Sequence, residues 1–121
     1  MTTVVILSLM DHLGKKQHNL DDNVTTSTAN AQAAATAIKT DVTRVTKGTA
    51  SGSVILPDIL TGCAEEMHWV LNDTAVTIEV FPFVGGSING SANTALALTT
   101  GQAGVFIRDQ TNNDWRAAAI S

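Results

Sequence analysis

Residues 82–92 read PFVGGSINGSA, and a glycine-rich loop of this kind can cradle a phosphate or present a nucleophile. Gly85 and Gly90 stand at the spacing of the two glycines in GxxxxGK[ST], but Ser91 and Ala92 follow, so the phosphate-reaching lysine is missing. The nucleophile elbow GxSxG fails too, because Ile88 and Asn89 come after Gly86-Ser87. A serine nucleophile needs a base, and the three histidines, His12, His18 and His68, all precede the loop. What remains is turn chemistry. Glycines supply positive φ, Asn89-Gly90 predicts a tight turn, and Ile88 is an apolar peg between them.

The other reactive groups point the same way. His12 and His18 lie near Asp11, Asp21 and Asp22, but at no compact metal-ligand spacing. In Glu65-Glu66-Met67-His68-Trp69, alternation predicts Glu66 and His68 on a solvated outer face and Trp69 on the other. Cys63 has no neighbouring lysine or arginine to lower its pKa and reads as a small semi-buried filler. Asp58, Asp73, Glu79, Asp109 and Asp114 fall at expected turns or strand ends. Asn23-Val24-Thr25, Asn72-Asp73-Thr74 and Asn89-Gly90-Ser91 match the N-glycosylation pattern, which is frequent by chance in a chain rich in Thr and Asn. No catalytic, metal-binding or cofactor-binding residue is assigned, and the chain is read as no enzyme and as holding no cofactor.

Composition bounds the partners. The 121 residues suit one domain, or one domain and an arm. A net charge of −4, 4% aromatics and no tyrosine leave little to attract or stack on nucleic acid. The apolar run Val4–Met10 is far below a membrane span, so no membrane partner is expected. It also lacks a basic residue before it and small residues after it, where Asp11 and His12 stand instead, so it does not read as a secretion signal. It reads as a strand or an adhesive arm.

Two compositional halves meet near residue 52. Residues 1–52 contain no proline and hold five of the seven basic residues. Ala31, Ala35, Ile38, Val42 and Val45 are spaced four, three, four and three apart, which predicts a short helix at about 28–46 in an N-terminal arm. Such a helix could lie on its own domain or form a three-stranded seam between copies; the β-branched Thr40, Val42, Thr43, Val45 and Thr46 equally suit an extended arm. Residues 53–121 change to period two. Strands are expected at Ser53–Leu56, Met67–Leu71, Val76–Phe81, Ala95–Leu98, Val105–Arg108 and Trp115–Ile120, separated by turn residues. The fold class is therefore mainly β, a small antiparallel β-sandwich or barrel of about six strands preceded by the arm.

The order of VILPDILTG (54–62), WVLND (69–73), AVTIEVFP (75–82), GGSING (85–90), ALALTTGQ (95–102), GVFI (104–107) and NNDW (112–115) resembles the C-terminal β-domain of tailed-phage virion proteins, above all capsid decoration (cement) proteins and head fibres. The resemblance covers residues 53–121. It implies a homotrimer on the outer capsid surface of the virion, bound to the major capsid protein and gripping it through an arm. The residues such an arm would present to a partner are Val4, Val5, Ile6, Leu7, Leu9, Met10, Ile38, Val42 and Val45. Two rivals stay open. A glycan- or receptor-binding module needs an aromatic platform, for which Trp69 and Trp115 are the candidates. A hydrolase or lyase on a β-barrel needs clustered histidines and carboxylates.

Overall fold

The computed structural model describes residues 19–58, 67–109 and 113–121. Six strands appear where period two and turn residues predict them: β4 (Ser53–Ile55), β5 (Met67–Asn72), β6 (Ile78–Phe81), β9 (Leu96–Leu98), β10 (Ala103–Asp109) and β11 (Asp114–Ile120). Five more join them: β1 (Leu20–Thr25), β2 (Thr36–Ala37), β3 (Val42–Lys47), β7 (Ser87–Ile88) and β8 (Ser91–Ala92). The chain is mainly β. It is neither a six-stranded sandwich nor a barrel; the strands wind as a β-solenoid of about three turns.

The winding is visible in the pairing. One sheet runs β1-β3-β5-β10-β11-β7-β8 and the other β2-β4-β6-β9. From β1 to β6 the chain alternates between the two sheets, so β1, β3 and β5 pair in parallel, as do β2, β4 and β6. The antiparallel pairing expected throughout holds only for β10 with β5 and β11, β9 with β6, and β7 with β8. Parallel neighbours need a long crossover. Here each crossover contains a strand of the opposite sheet.

The helix expected at about 28–46 is absent. A three-residue 3-10 turn, Gln32–Ala34, is followed by β2 and β3. Val42 and Val45 are three apart, which puts them on one side of a helix but on opposite faces of a strand. They do face opposite ways: Ile38 and Val45 join the core between the sheets, and Val42 joins a second cluster. All three are buried within their own chain, which removes them from an adhesive arm. The division at residue 52 fails for the same reason, since β1, β2 and β3 belong to the sheets built by the second half. Val4, Val5, Ile6, Leu7, Leu9 and Met10 lie outside the described residues.

The main core sits between the sheets. Val45, Val70, Phe106 and Trp115 meet Val54, Ile78, Val80 and Leu98, with Ile38, Leu56 and Ile88 closing the corners. His68 belongs to this interior and not to a solvated face. It is buried, its ring meets Trp115 edge-on at 5.5 Å, and Nδ1 lies 2.9 Å from the Thr40 carbonyl. At one corner Gly52 is forced by close approach, because a Cβ there would run into Thr26 Oγ1 and the Ser27 carbonyl. That contact lets successive turns stack, Ser27 N donating to Ser53 O and Glu79 N to Gly52 O.

Candidate functional site

The loop that opened the question is a clamped turn. β6 ends at Phe81, and Pro82, with no N–H to extend the ladder, leads into residues 83–86. Gly86 N donates to Phe83 O at 2.7 Å, and Gly85 has φ +90° in the third position. This is the glycine requirement of a type II turn. Asn89-Gly90, both at positive φ, then reverse the chain between β7 and β8 as a type I′ pair. Ile88 is buried in the core between them, as a peg should be. The loop is turn architecture.

Side chains from distant segments hold it. Asn93 Oδ1 accepts from Gly85 N at 2.8 Å and from Gln32 Nε2 at 3.1 Å. Gln32 also donates to Pro82 O at 2.8 Å, and Asn113 Nδ2 to Gly85 O at 3.3 Å. On the β7–β8 side, Asn89 acts as one more strand residue: Nδ2 donates to Ala117 O and Oδ1 accepts from Ala117 N, at 3.0 and 2.9 Å. Asn89 and the fully buried Asn72 thus have their amides committed inside the fold, which leaves two of the three glycosylation matches as structural asparagines.

Asp114 anchors the same end. Its buried carboxylate accepts from Ser87 Oγ at 2.6 Å and Gly90 N at 3.0 Å, with Arg116 Nε 3.2 Å away. Burial pushes its pKa up, but the Ser87 hydroxyl, the Gly90 amide, the Arg116 charge and the Trp115 amide together outweigh it and leave the group below its usual value. The stability this supplies is complete above the ordinary aspartate pKa of about 3.9 and disappears as pH falls through the lower folded value. Asp114→Asn should therefore flatten the acid limb below about pH 4 while lowering stability near neutrality by about 1–3 kcal/mol. Urea midpoints measured from pH 2 to 7 on both proteins check this.

The clamps support an exposed tip of two apolar side chains. Phe83 is 43% exposed and Val84 60%. From Val80 to Ile107 the chain carries no Asp, Glu, Lys or Arg, so the segment that forms the tip is itself uncharged. An exposed apolar pair on a rigid, uncharged turn is a preformed contact, since little ordering entropy remains to be lost on binding. Chemically it can offer apolar area and backbone polar groups, and nothing that transfers a proton.

The other sequence candidates separate. Asp22 pairs with Arg44 on the outer face of the larger sheet, where Arg44 also meets Asp73. Among the described residues, no group of three or more His, Cys, Asp or Glu is placed to hold a metal ion. His12, His18, Asp11, Cys63, Glu65 and Glu66 lie outside the described residues. Trp69 and Trp115 are buried in different clusters and form no platform. Phe83 and Val84 escape a sequence reading because, beside β6, they look like one more stretch of strand. The available signal was their position between Pro82 and Gly85-Gly86. No protein-family model matches the chain, and no curated protein matches it.

Proposed function

We propose that this chain is a structural, non-enzymatic virion protein of a tailed phage, a decoration (cement) or head-fibre module that sits as a homotrimer on the outer capsid surface against the major capsid protein. The observation that carries the reading is the clamped neutral tip with Phe83 and Val84 displayed. Polar side chains around it are spent on holding backbone, as expected where a surface must keep its shape. The resemblance of residues 53–121 to phage virion β-domains supplies the partner. Repetition over a capsid lattice multiplies a modest single contact through avidity.

A contact through the tip differs from one through an arm, and the difference is measurable. With capsids stripped of the protein, the wild-type chain should co-sediment saturably and elute as a trimer in light scattering. Phe83→Ser with Val84→Ser should weaken binding by at least about tenfold, the scale of a small hot spot, with the melting temperature unchanged. A monomer without affinity for capsids sinks the reading. The glycan- or receptor-binding alternative would have to use Phe83, because both tryptophans are buried.

A further inference from the structure

Asn89 is the only asparagine of the chain that is followed by glycine. An Asn-Gly pair is the most open to spontaneous deamidation, because glycine without a Cβ lets its backbone nitrogen approach the preceding carboxamide. The Gly90 nitrogen attacks Asn89 Cγ, and a new N–C bond closes a cyclic imide. The carboxamide nitrogen leaves as ammonia, carrying the proton that Gly90 gives up. Water then opens the ring at one carbonyl to aspartate, or at the other to isoaspartate. Asn89 and Gly90 are both exposed, so water reaches them. The reaction needs no oxidant, reductant or second protein.

The wound chain holds both reacting groups out of this chemistry. The carboxamide is pinned to β11, where Nδ2 donates to Ala117 O at 3.0 Å and Oδ1 accepts from Ala117 N at 2.9 Å. The attacking nitrogen is engaged on the same strand, donating to Asp114 Oδ1 at 3.0 Å. Ring closure has to break the Ala117 pair and take the Gly90 proton beside a carboxylate, whose charge opposes the amide anion. The backbone is restrained as well: φ is +52° at Asn89 and +83° at Gly90, and Asn89 N donates to Trp115 O at 2.8 Å. Every one of these restraints comes from β11, far away in sequence. None survives in a chain whose β7 and β11 have separated.

We propose that Asn89 is a fold-gated deamidation site, silent while β7 pairs with β11, reactive once they part, and a bar to rewinding afterwards. Aspartate at this position replaces a donor by a second acceptor, so a carboxylate oxygen faces the Ala117 carbonyl. Isoaspartate adds a methylene to the main chain inside a two-residue turn, which the positive-φ pair cannot absorb. Either product weakens the turn that seats Ile88 in the core. The same turn carries Asn93, which donates to Gly86 O and steadies the loop bearing Phe83 and Val84. Opening of this end of the solenoid is therefore written into the chain as a covalent change. The inference does not depend on the virion reading.

The full-length wild-type chain tests it at mildly alkaline pH, in native buffer and unfolded in guanidinium chloride. Peptide mass spectrometry reads deamidation at Asn89, and tryptophan fluorescence reports the folded state. Modification should be many-fold slower in the native chain, and at intermediate denaturant its rate should rise with the unfolded fraction. Equal rates in the native and unfolded chains overturn the proposal, as does an unfolded chain that leaves Asn89 unmodified. The deamidated chain, separated by charge after the denaturant is removed, should refold to a lower denaturation midpoint than unmodified chain treated alike. Asn89→Asp should reproduce part of that loss. Deamidated chain that regains the parental midpoint overturns the bar to rewinding.

Discussion

Asn72→Ala is expected to lower the stability of the folded chain by about 3–5 kcal/mol, because one amide ties the turn that follows β5 to β9 through four hydrogen bonds. Asn72 is completely buried at the end of β5. Its Nδ2 donates to Val76 O and Leu98 O, both at 2.9 Å, and its Oδ1 accepts from Thr74 N at 3.0 Å and Thr74 Oγ1 at 2.7 Å. Two donors and two acceptor positions are all the amide has. Alanine leaves the Thr74 N–H and the Leu98 carbonyl facing a small void, and each such group costs about 1–3 kcal/mol when buried and unmatched. The melting temperature should drop by more than about 10 °C. Asn72→Asp separates hydrogen bonding from shape. Near neutral pH a carboxylate would face the two carbonyls that now accept from the amide, so this variant should be less stable than Asn72→Ala. It should recover part of the loss in acid, where the protonated carboxyl can donate one bond. Urea denaturation of the three proteins at two pH values checks both statements. A loss under about 1 kcal/mol for Asn72→Ala would mean that this corner closes without the amide.

Asn72 also shows which part of a solenoid is legible beforehand. The end of β5 is marked by Asn-Asp, so the turn is readable, and the same holds for Pro82, Asn89-Gly90 and Thr100-Gly101. That the Asn72 amide reaches Leu98 is not readable, since nothing local ties residues so far apart. Winding is hidden for a related reason. Period two reports that a strand has an inside and an outside, but it carries no information on whether the neighbour runs parallel or antiparallel. Leu20 faces Val42 and Val42 faces Trp69, yet the segments LDDNVT, VTRVTK and MHWVLN share no repeat that a self-comparison would find. β1 is an edge strand with a positive φ at Asn23 and register shifts beside it, so its sequence is mostly polar and reads as loop. β3 misleads because Val42 and Val45 serve two different clusters.

The candidate site divides along the same line. Turn geometry at Gly85 and Gly90 follows from local sequence, whereas the clamps from Gln32, Asn93 and Asn113 are long-range pairings of neutral side chains. Gln32 matters beyond its two bonds. It comes from the first half of the chain and grips the loop of the second, so this clamp forms only when the two halves are folded together. An isolated fragment 53–121 would lack both this clamp and the strands β1, β2 and β3.

Trp115→Ala should have an effect of similar size to the loss of Asn72, through packing instead of polarity. Trp115 is the largest fully buried side chain, on β11 beside the parallel strand β7. Replacing a buried tryptophan by alanine costs about 3–5 kcal/mol, from lost transfer energy and from a cavity that rigid neighbours fill only in part. Collapse is hard here, because the walls are strands held on both sides: Asn89 N donates to Trp115 O at 2.8 Å, and Ala117 is fixed by both bonds of the Asn89 side chain. The cavity would also take the edge-on aromatic contact from His68, whose Nδ1 is held beside the Thr40 carbonyl. Trp115→Phe keeps an aromatic wall and should retain most of the stability. A graded series, with Trp above Phe and Phe above Ala in urea midpoint, is the expected pattern. Equal midpoints for Phe and Ala would place the importance of this position in the indole nitrogen and not in packed volume.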